Sequence, residues 1–460
     1  MDVRIKGLLA STPSDEIVKA EGWVRTKRDS KNVCFLEIND GSCLKGLQAV
    51  IDKAVFQNNN LLDSITTGCS VIATGRIVES QGSQSVELQV TELELVGECP
   101  LDYPLQKKRH TVEFLREKAY LRARTNLFGA VTRVRNTMAY AVHSFFQEKG
   151  FIYVNTPLIT ASDCEGAGEQ FQVTTLDMEN PPRTKDGKID YSKDFFGKMA
   201  NLTVSGQLEG ESYALAMKNI YTFGPTFRAE NSNTTRHLAE FWMIEPEMAF
   251  CTLEGDMDLA EEFLKHIFKT VLDKNQEDMD FFSKFVLPGV QETLEHVITS
   301  PFEHMTYTEA IRNLEKHNSE FEFPVHWGSD IQSEHERYLT EVIAKRPVIV
   351  TDYPKEIKAF YMKLNEDGKT VRAMDVLAPR LGEIIGGSER EYRLDVLESR
   401  IRELGMDPKS YWWYLDLRKY GSVPHAGFGL GFERAVRYVT GMENIRDVIP
   451  YPRYVKSCEY

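Results

Sequence analysis

The sequence predicts a multidomain protein: an all-β barrel at the N-terminus, then a large α+β domain whose antiparallel sheet is flanked by helices. Three observations carry this expectation. Residues 16–97 fall into five short apolar runs separated by turn residues. Beyond residue 116 strands and helices are grouped rather than alternating, which disfavours a parallel sheet. The chain of 460 residues is too long for one ordinary core.

Taken in order, strands are expected at 17–25, 33–39, 47–51, 70–77 and 86–95, with Asp40-Gly41 turning the second and a short helix somewhere in 52–67. Five strands and one helical insertion suit a small Greek-key barrel of the OB type, which binds single-stranded nucleic acid by aromatic stacking. Phe35, near Arg28, is a candidate platform, although a phenylalanine on a strand is more often a core residue. Residues 100–110 contain Pro100 and Pro104 and no periodicity, so they read as a linker. The expected division is therefore a barrel over 1–99, a linker over 100–115 and a second domain over 116–460. Leu127, Val131, Val134, Met138, Val142 and Phe145 recur at helical spacing, and Gly150 ends that helix. A strand over 151–157 is closed by Pro157. Strands follow over 201–250, acidic helices over 253–286, and strands again at 347–353, 359–364, 371–377 and 383–386. A long C-terminal helix is expected from about Phe428. Residues 287–345 show no readable pattern and are taken as an insertion.

The formal charge of −14, taken alone, argues against a polyanionic partner. Its distribution argues otherwise, because residues 107–135 hold nine basic side chains and two acidic ones, and Arg25, Lys27 and Arg28 form a smaller run. Screening confines each charge to about 8–10 Å, so local basic clusters bind phosphate even on an acidic protein. A charge run alone is more often a solvated helix face. The seven cysteines form no CxxC pair, which speaks against a zinc site and a disulfide framework. With neither a secretory leader nor a long apolar span, the expected setting is reducing and cytoplasmic.

Three segments place polar residues where a plain strand or helix would not. Phe227-Arg228-Ala229-Glu230, a polar turn, and Arg236-His237-Leu238-Ala239-Glu240-Phe241 form a hairpin offering cations to phosphates and a ring to a base. His425-Ala426-Gly427-Phe428-Gly429-Leu430-Gly431 leads into a helix carrying Arg434, and its glycines permit close approach to the backbone. The third is the helix, strand and Pro157 of 116–157. In this order the segments resemble motifs 2, 3 and 1 of class II aminoacyl-tRNA synthetases. With the barrel, the loop 160–169, Ser205-Gly206-Gln207 through Glu211, residues 352–361 and Ile385 to Arg390, the resemblance is to the asparaginyl-tRNA synthetases of the aspartate/asparagine/lysine subgroup, over nearly the whole chain.

The resemblance implies ATP-dependent ligation of L-asparagine to tRNA(Asn) through an asparaginyl-adenylate, with pyrophosphate and AMP released. It makes Arg228 the bridge between α-phosphate and reacting carboxylate, and Glu230 the acceptor from the adenine amine. Phe241 and Arg434 would sandwich adenine, with Arg434 reaching the γ-phosphate beside His237 and Arg236. Asp375 and Glu383 would hold Mg²⁺, at a spacing one residue longer than in aspartyl relatives. Glu165 and Gln207 would hold the substrate's α-ammonium, Ser205 would belong to the amino-acid site, and Arg390 would receive the side-chain oxygen. Aspartyl enzymes place a lysine three residues after the glutamine; here Gly210 stands there and Glu211 follows, suited to accept from an amide NH₂ and to repel aspartate. Arg28, Phe35, Gln48 and Glu87 would read the anticodon, and the motif 1 helix with Pro157 would form a homodimer. The alternatives are an aspartyl-tRNA synthetase and a catalytically silent tRNA-binding paralogue.

Overall fold

The computed structural model describes residues 4–56, 60–82, 84–162 and 170–460. They form two compact units, 1–133 and 134–460.

In the first unit a short helix α1 (Ile5–Leu9) precedes β1 (Ile17–Asp29), β2 (Val33–Asn39), β3 (Leu47–Asp52), the one-turn helix α2 (Leu61–Ser64), β4 (Ser70–Glu79) and β5 (Val86–Gly97). These strands close a barrel in the order β1-β2-β3-β5-β4. Period-two alternation builds its core: Cys34, Leu36 and Ile38 of β2 meet Leu47, Ala49 and Ile51 of β3 inside. Phe35 stands between inward residues and therefore faces outward, half-buried, so it is not part of the core. Closure is tight at Gly75, where a Cβ would lie 2.0 Å from Gln89 O. Two short helices, α3 (Val112–Glu117) and α4 (Ala119–Arg122), follow the barrel.

Helix α5 (Asn126–Glu148) shows the expected apolar stripe and ends before Gly150, whose φ is +80°. An eight-stranded sheet runs β12-β13-β14-β15-β16-β11-β10-β6. Its strands are β6 (Ile152–Tyr153), β10 (Asn219–Phe227), β11 (Glu240–Ala249), β12 (Glu303–Thr306), β13 (Val348–Pro354), β14 (Thr370–Ala378), β15 (Gly382–Glu389) and β16 (His425–Gly431). All pairings are antiparallel except β6 with β10 and β12 with β13, so the parallel contacts are confined to the two edges. A small sheet of β7 (Ile159–Thr160), β8 (Gln172–Val173) and β9 (Ala200–Leu202) precedes α6 (Gln207–Met217). The acidic segment is α7 (Leu253–Lys274) and α8 (Gln276–Phe285). Phe263 of α7 packs on Phe145 and Phe146 of α5, with ring centroids 5.1 and 4.8 Å apart.

Three local expectations are corrected. Residues 207–217, read as part of a strand region, form α6; its inward positions include Gln207 and Glu211, so the apolar repeat that marks a helix is missing. Residues 359–364 form only isolated bridges, Met362 to Arg390 and Leu364 to Val371. The C-terminal helix α14 (Phe432–Thr440) is nine residues long and starts four later than expected. Phe428 instead belongs to β16, held in the sheet by β15 and β11 on its two sides. Residues 287–345 fold as α9 (Val290–Thr299), β12, α10 (Tyr307–Glu315) and α11 (Ser333–Tyr338), with Tyr307, Ile311 and Leu314 in a core against Val348 and Val350. Helices α12 (Leu394–Glu403) and α13 (Trp412–Lys419) lie between β15 and β16. Among the described residues no helix is long and apolar enough to cross a membrane.

Candidate active site

The second unit's sheet presents one row of β11 side chains, Phe241, Met243, Glu245 and Glu247, to two adjoining cavities, as period-two alternation requires. A cavity of about 220 Å³ is lined by Arg228, Glu230, Arg236, His237, Phe241, Glu383 and Arg434. Its neighbour, about 230 Å³, is lined by Ser205, Gln207, Glu245, Glu247, Lys358, Tyr361, Asp375 and Arg390. Arg228 and Glu383 border both.

The cationic cavity is assembled by the β10–β11 hairpin and the start of α14. Strand β10 stops at Phe227, so Arg228 and Glu230 lie on the loop, though Arg228 N–H still donates to Ala239 O at 3.0 Å. The Arg228 guanidinium stands 5.4 Å from the Phe241 ring centroid. His237 Nε2 is 3.7 Å from Glu230, and its Nδ1 meets the Thr234 hydroxyl at 2.5 Å. Arg236 donates to the Ser333 hydroxyl on α11. Arg434 donates to Glu383 O at 3.1 Å. A cluster of guanidiniums beside an aromatic ring and a carboxylate matches a nucleotide with its phosphates.

The second cavity ends in a buried ion pair. Arg390 donates through Nη2 and Nε to the two oxygens of Glu247, at 2.5 and 3.3 Å, and through Nη1 to Ser388 Oγ at 2.8 Å. Burial, together with the neighbouring Glu211, lifts the Glu247 carboxyl to about 7 against the pull of Arg390. Gly427 of β16 makes this packing possible: a Cβ there would lie 2.5 Å from the Glu247 carboxyl carbon. Ser205 donates to Glu245, whose other oxygen accepts from Gly206 N–H at 3.0 Å and Thr222 Oγ1 at 2.9 Å.

Glu211, expected to touch the substrate amide, instead sits behind the cavity wall. It is fully buried and accepts from Gln207 Nε2 at 3.1 Å, the Tyr414 hydroxyl at 2.8 Å and Arg418 Nη2 at 2.8 Å, with His425 Nε2 at 3.0 Å. Burial works against its charge, but Arg418 and His425 hold the carboxyl well below the usual range. Because its NH₂ is tied to Glu211, Gln207 turns its carbonyl oxygen away from that partner. The helical i, i+4 relation of Gln207 and Glu211 on α6 makes the pair.

Asp375 and Glu383 converge on Gly386, where a Cβ would lie 3.6 and 3.4 Å from their carboxylate oxygens. A bulge in the β14–β15 pairing, where Val376 faces Ile385 but Leu377 faces Glu383, absorbs the additional residue between them. Glu336 of α11 accepts from Glu383 N–H at 3.2 Å, and burial next to Glu383 raises its carboxyl to about 7. Among the described residues no group of three His, Cys, Asp or Glu side chains is arranged to hold a metal ion. Two hard-oxygen carboxylates fit Mg²⁺, which is usually shared with substrate phosphates and waters. Glu165 lies outside the described residues.

The barrel has its own candidate surface. Arg28 donates to Gln48 Oε1 at 3.1 Å and its guanidinium lies 5.5 Å from the Phe35 ring centroid. Gln48 in turn donates to Glu87 at 3.0 Å. The four expected residues thus form one connected group. The basic run 107–135 is less open than its count implied: Arg122 is buried with its guanidinium 4.4 Å from the Phe128 ring centroid, and Arg135 pairs with Glu433 at 2.6 Å.

Sequence reasoning did not single out Glu245, Glu247, Lys358 or Tyr361 as site residues. The available signal was the alternation through Glu245-Pro246-Glu247, which carries the Phe241 face further along β11.

Two family models match the chain. Residues 111–455 match tRNA synthetases class II (D, K and N), and residues 18–96 match an OB-fold nucleic acid binding domain. An asparagine–tRNA ligase of Treponema denticola is 61% identical, covering 99% of each chain, and one of Microcystis aeruginosa is 60% identical over the full length of both. The fold superposes on asparaginyl-tRNA synthetase from Pyrococcus horikoshii complexed with asparaginyl-adenylate, with a TM-score of 0.84, 33% identity and 96% of each chain covered. It also superposes on the Entamoeba histolytica asparaginyl-tRNA synthetase in complex with asparaginyl-adenylate, with a TM-score of 0.83, 28% identity and 98% of each chain covered. With three-fifths of its residues shared along its whole length, the chain belongs to the asparagine–tRNA ligases of the class II D, K and N synthetases.

Proposed function

We propose that this protein ligates L-asparagine to tRNA(Asn) in two steps, forming an asparaginyl-adenylate from ATP with release of pyrophosphate and then transferring the aminoacyl group to the tRNA with release of AMP. The observation that carries this reading is the Arg390–Glu247 pair at the end of the second cavity, next to a cavity rich in arginine. A guanidinium donor and a carboxylate acceptor side by side match the C=O and NH₂ of a carboxamide. A second carboxylate in the NH₂ position would meet Glu247 with like charge, which disfavours aspartate.

In the first step Arg228 bridges the two cavities and offsets the charge developing between the amino-acid carboxylate and the α-phosphate. Phe241 stacks on adenine, Glu230 accepts from its amine, and Arg434, Arg236 and His237 neutralise the outer phosphates. Asp375 and Glu383 are the residues suited to hold Mg²⁺, which when bound supplies charge neutralisation to the phosphate oxygens. Ser205, Gln207 and Glu165 hold the backbone end of asparagine. Glu211 acts through Gln207.

On the barrel, Arg28, Phe35, Gln48 and Glu87 read the anticodon, with Phe35 as the stacking surface. The functional division is an anticodon-binding part over 1–99, a linker over 100–115 and a catalytic part over 116–460 with 287–345 inserted. Two copies associate through α5 and Pro157, and the enzyme works in the cytoplasm.

ATP–pyrophosphate exchange with a panel of amino acids tests the reading. Asparagine should stimulate exchange and aspartate should not; stimulation by aspartate alone sinks it.

A further inference from the structure

Lys358 has no part in the chemistry above, yet it occupies a decisive position. It follows β13 in a short turn, lines the second cavity and reaches Asp375, with Nζ 3.0 and 2.7 Å from the two carboxylate oxygens. The same ammonium lies 4.0 Å from the Tyr353 ring centroid. Both partners of the ion pair are largely shielded, at 17% and 16% side-chain exposure. Among the described residues the ammonium has no other partner.

Three carboxylates gather here, Asp375, Glu383 and Glu336, and their mutual repulsion needs a cation when no nucleotide is bound. Arg434, 3.6 Å from Glu383, serves one end of the group, and Lys358 serves the other. An ammonium 3.0 and 2.7 Å from the two oxygens of Asp375 stands beside the place where a divalent ion would bind them, and like charges at that separation repel. The two cations are therefore competitors for one ligand. Lysine suits this role because its charge rides on a flexible four-carbon stem.

We propose that Lys358 is a positioning residue that occupies Asp375 in the nucleotide-free enzyme and yields it only when the metal arrives with ATP. This rests on the assignment of Asp375 and Glu383 to the nucleotide-borne metal. Its consequence is that the free enzyme binds divalent ions poorly, so the carboxylates do not capture a metal that would block the site or hold a wrong ion there.

The test uses Mn²⁺ as probe, with free Mn²⁺ followed by electron paramagnetic resonance during titration with the full-length protein. Without nucleotide, Lys358→Met should bind Mn²⁺ at least about tenfold more tightly than the native protein, because an opposing charge within contact distance is gone. Lys358→Arg should behave as native, and adding Asp375→Asn to Lys358→Met should remove the gain. Lys358→Gln takes the place of the methionine variant if thermal melting shows the latter misfolded. Equal Mn²⁺ affinity in the native and charge-removed proteins overturns the proposal. If Asp375→Asn leaves the Mn²⁺ concentration needed for half-maximal ATP–pyrophosphate exchange unchanged, the metal assignment fails and takes this inference with it.

Discussion

If Arg390 and Glu247 select the side chain as proposed, a buried pair serves that end better than either residue alone. Each satisfies the other in the free enzyme, and a carboxamide can engage both without leaving a charge unpaired. Glu247→Gln should raise exchange with aspartate relative to asparagine by roughly ten- to a hundredfold, the worth of about 1–3 kcal/mol for one mismatched buried group; an unchanged ratio in pyrophosphate exchange refutes the role. The pH dependence follows from the same residue. Because burial lifts Glu247 to about 7, its repulsion of aspartate is present above that pH and is lost as pH falls through it. The asparagine-to-aspartate ratio in exchange should therefore decline between pH 8 and pH 6, and should stay flat in Glu247→Gln. On the barrel, Phe35→Ala should raise the KM for tRNA by roughly tenfold or more, since stacking of one base contributes about 1–3 kcal/mol, while exchange, which needs no tRNA, stays within about twofold.

Helix α6 is an element whose meaning lies in its partners. Its inward face is polar, and it is held by α13 through Tyr414 and Arg418 and by β16 through His425, all converging on Glu211. Truncation there leaves the fully buried Arg418 without its carboxylate, so Glu211→Ala should lower stability by about 3–5 kcal/mol, measured by denaturant unfolding. Glu211→Gln keeps the shape and most hydrogen bonds; it should mainly raise the KM for asparagine by freeing the Gln207 amide to turn. A selective loss of discrimination against aspartate in Glu211→Gln, with unchanged KM, would restore direct substrate contact. The strand–turn–strand β10–β11 and the glycine-rich β16 were legible because their chemistry is carried by residue types: Arg228, Glu230, Phe241 and Arg434 are out of place in a plain hairpin or helix start. Helix α6 was not, because helical reading relies on an apolar repeat that a polar hub removes. The bulge that aligns Glu383 with Asp375 was visible only as an odd spacing.

For the whole molecule, the sequence by itself determined the two-part architecture, the barrel strands to within a few residues, and the order of the motifs. These depend on local periodicity and on residue type, which a chain displays without folding. Charge shows the limit of such reading. The total of −14 pointed away from nucleic acid and the run 107–135 pointed toward it, yet burial of Arg122 and pairing of Arg135 with Glu433 withdraw part of that run. Only the tertiary structure decided which ionisable groups face the cavities and which serve one another. It set Glu211 behind the wall and Glu247 on it, though both are glutamates in motif segments, and it gave Asp375 to Lys358. The physical reason is that a buried charge is defined by its partners, and those partners come from strands and helices more than a hundred residues away: Glu211 and Arg418, Glu247 and Arg390.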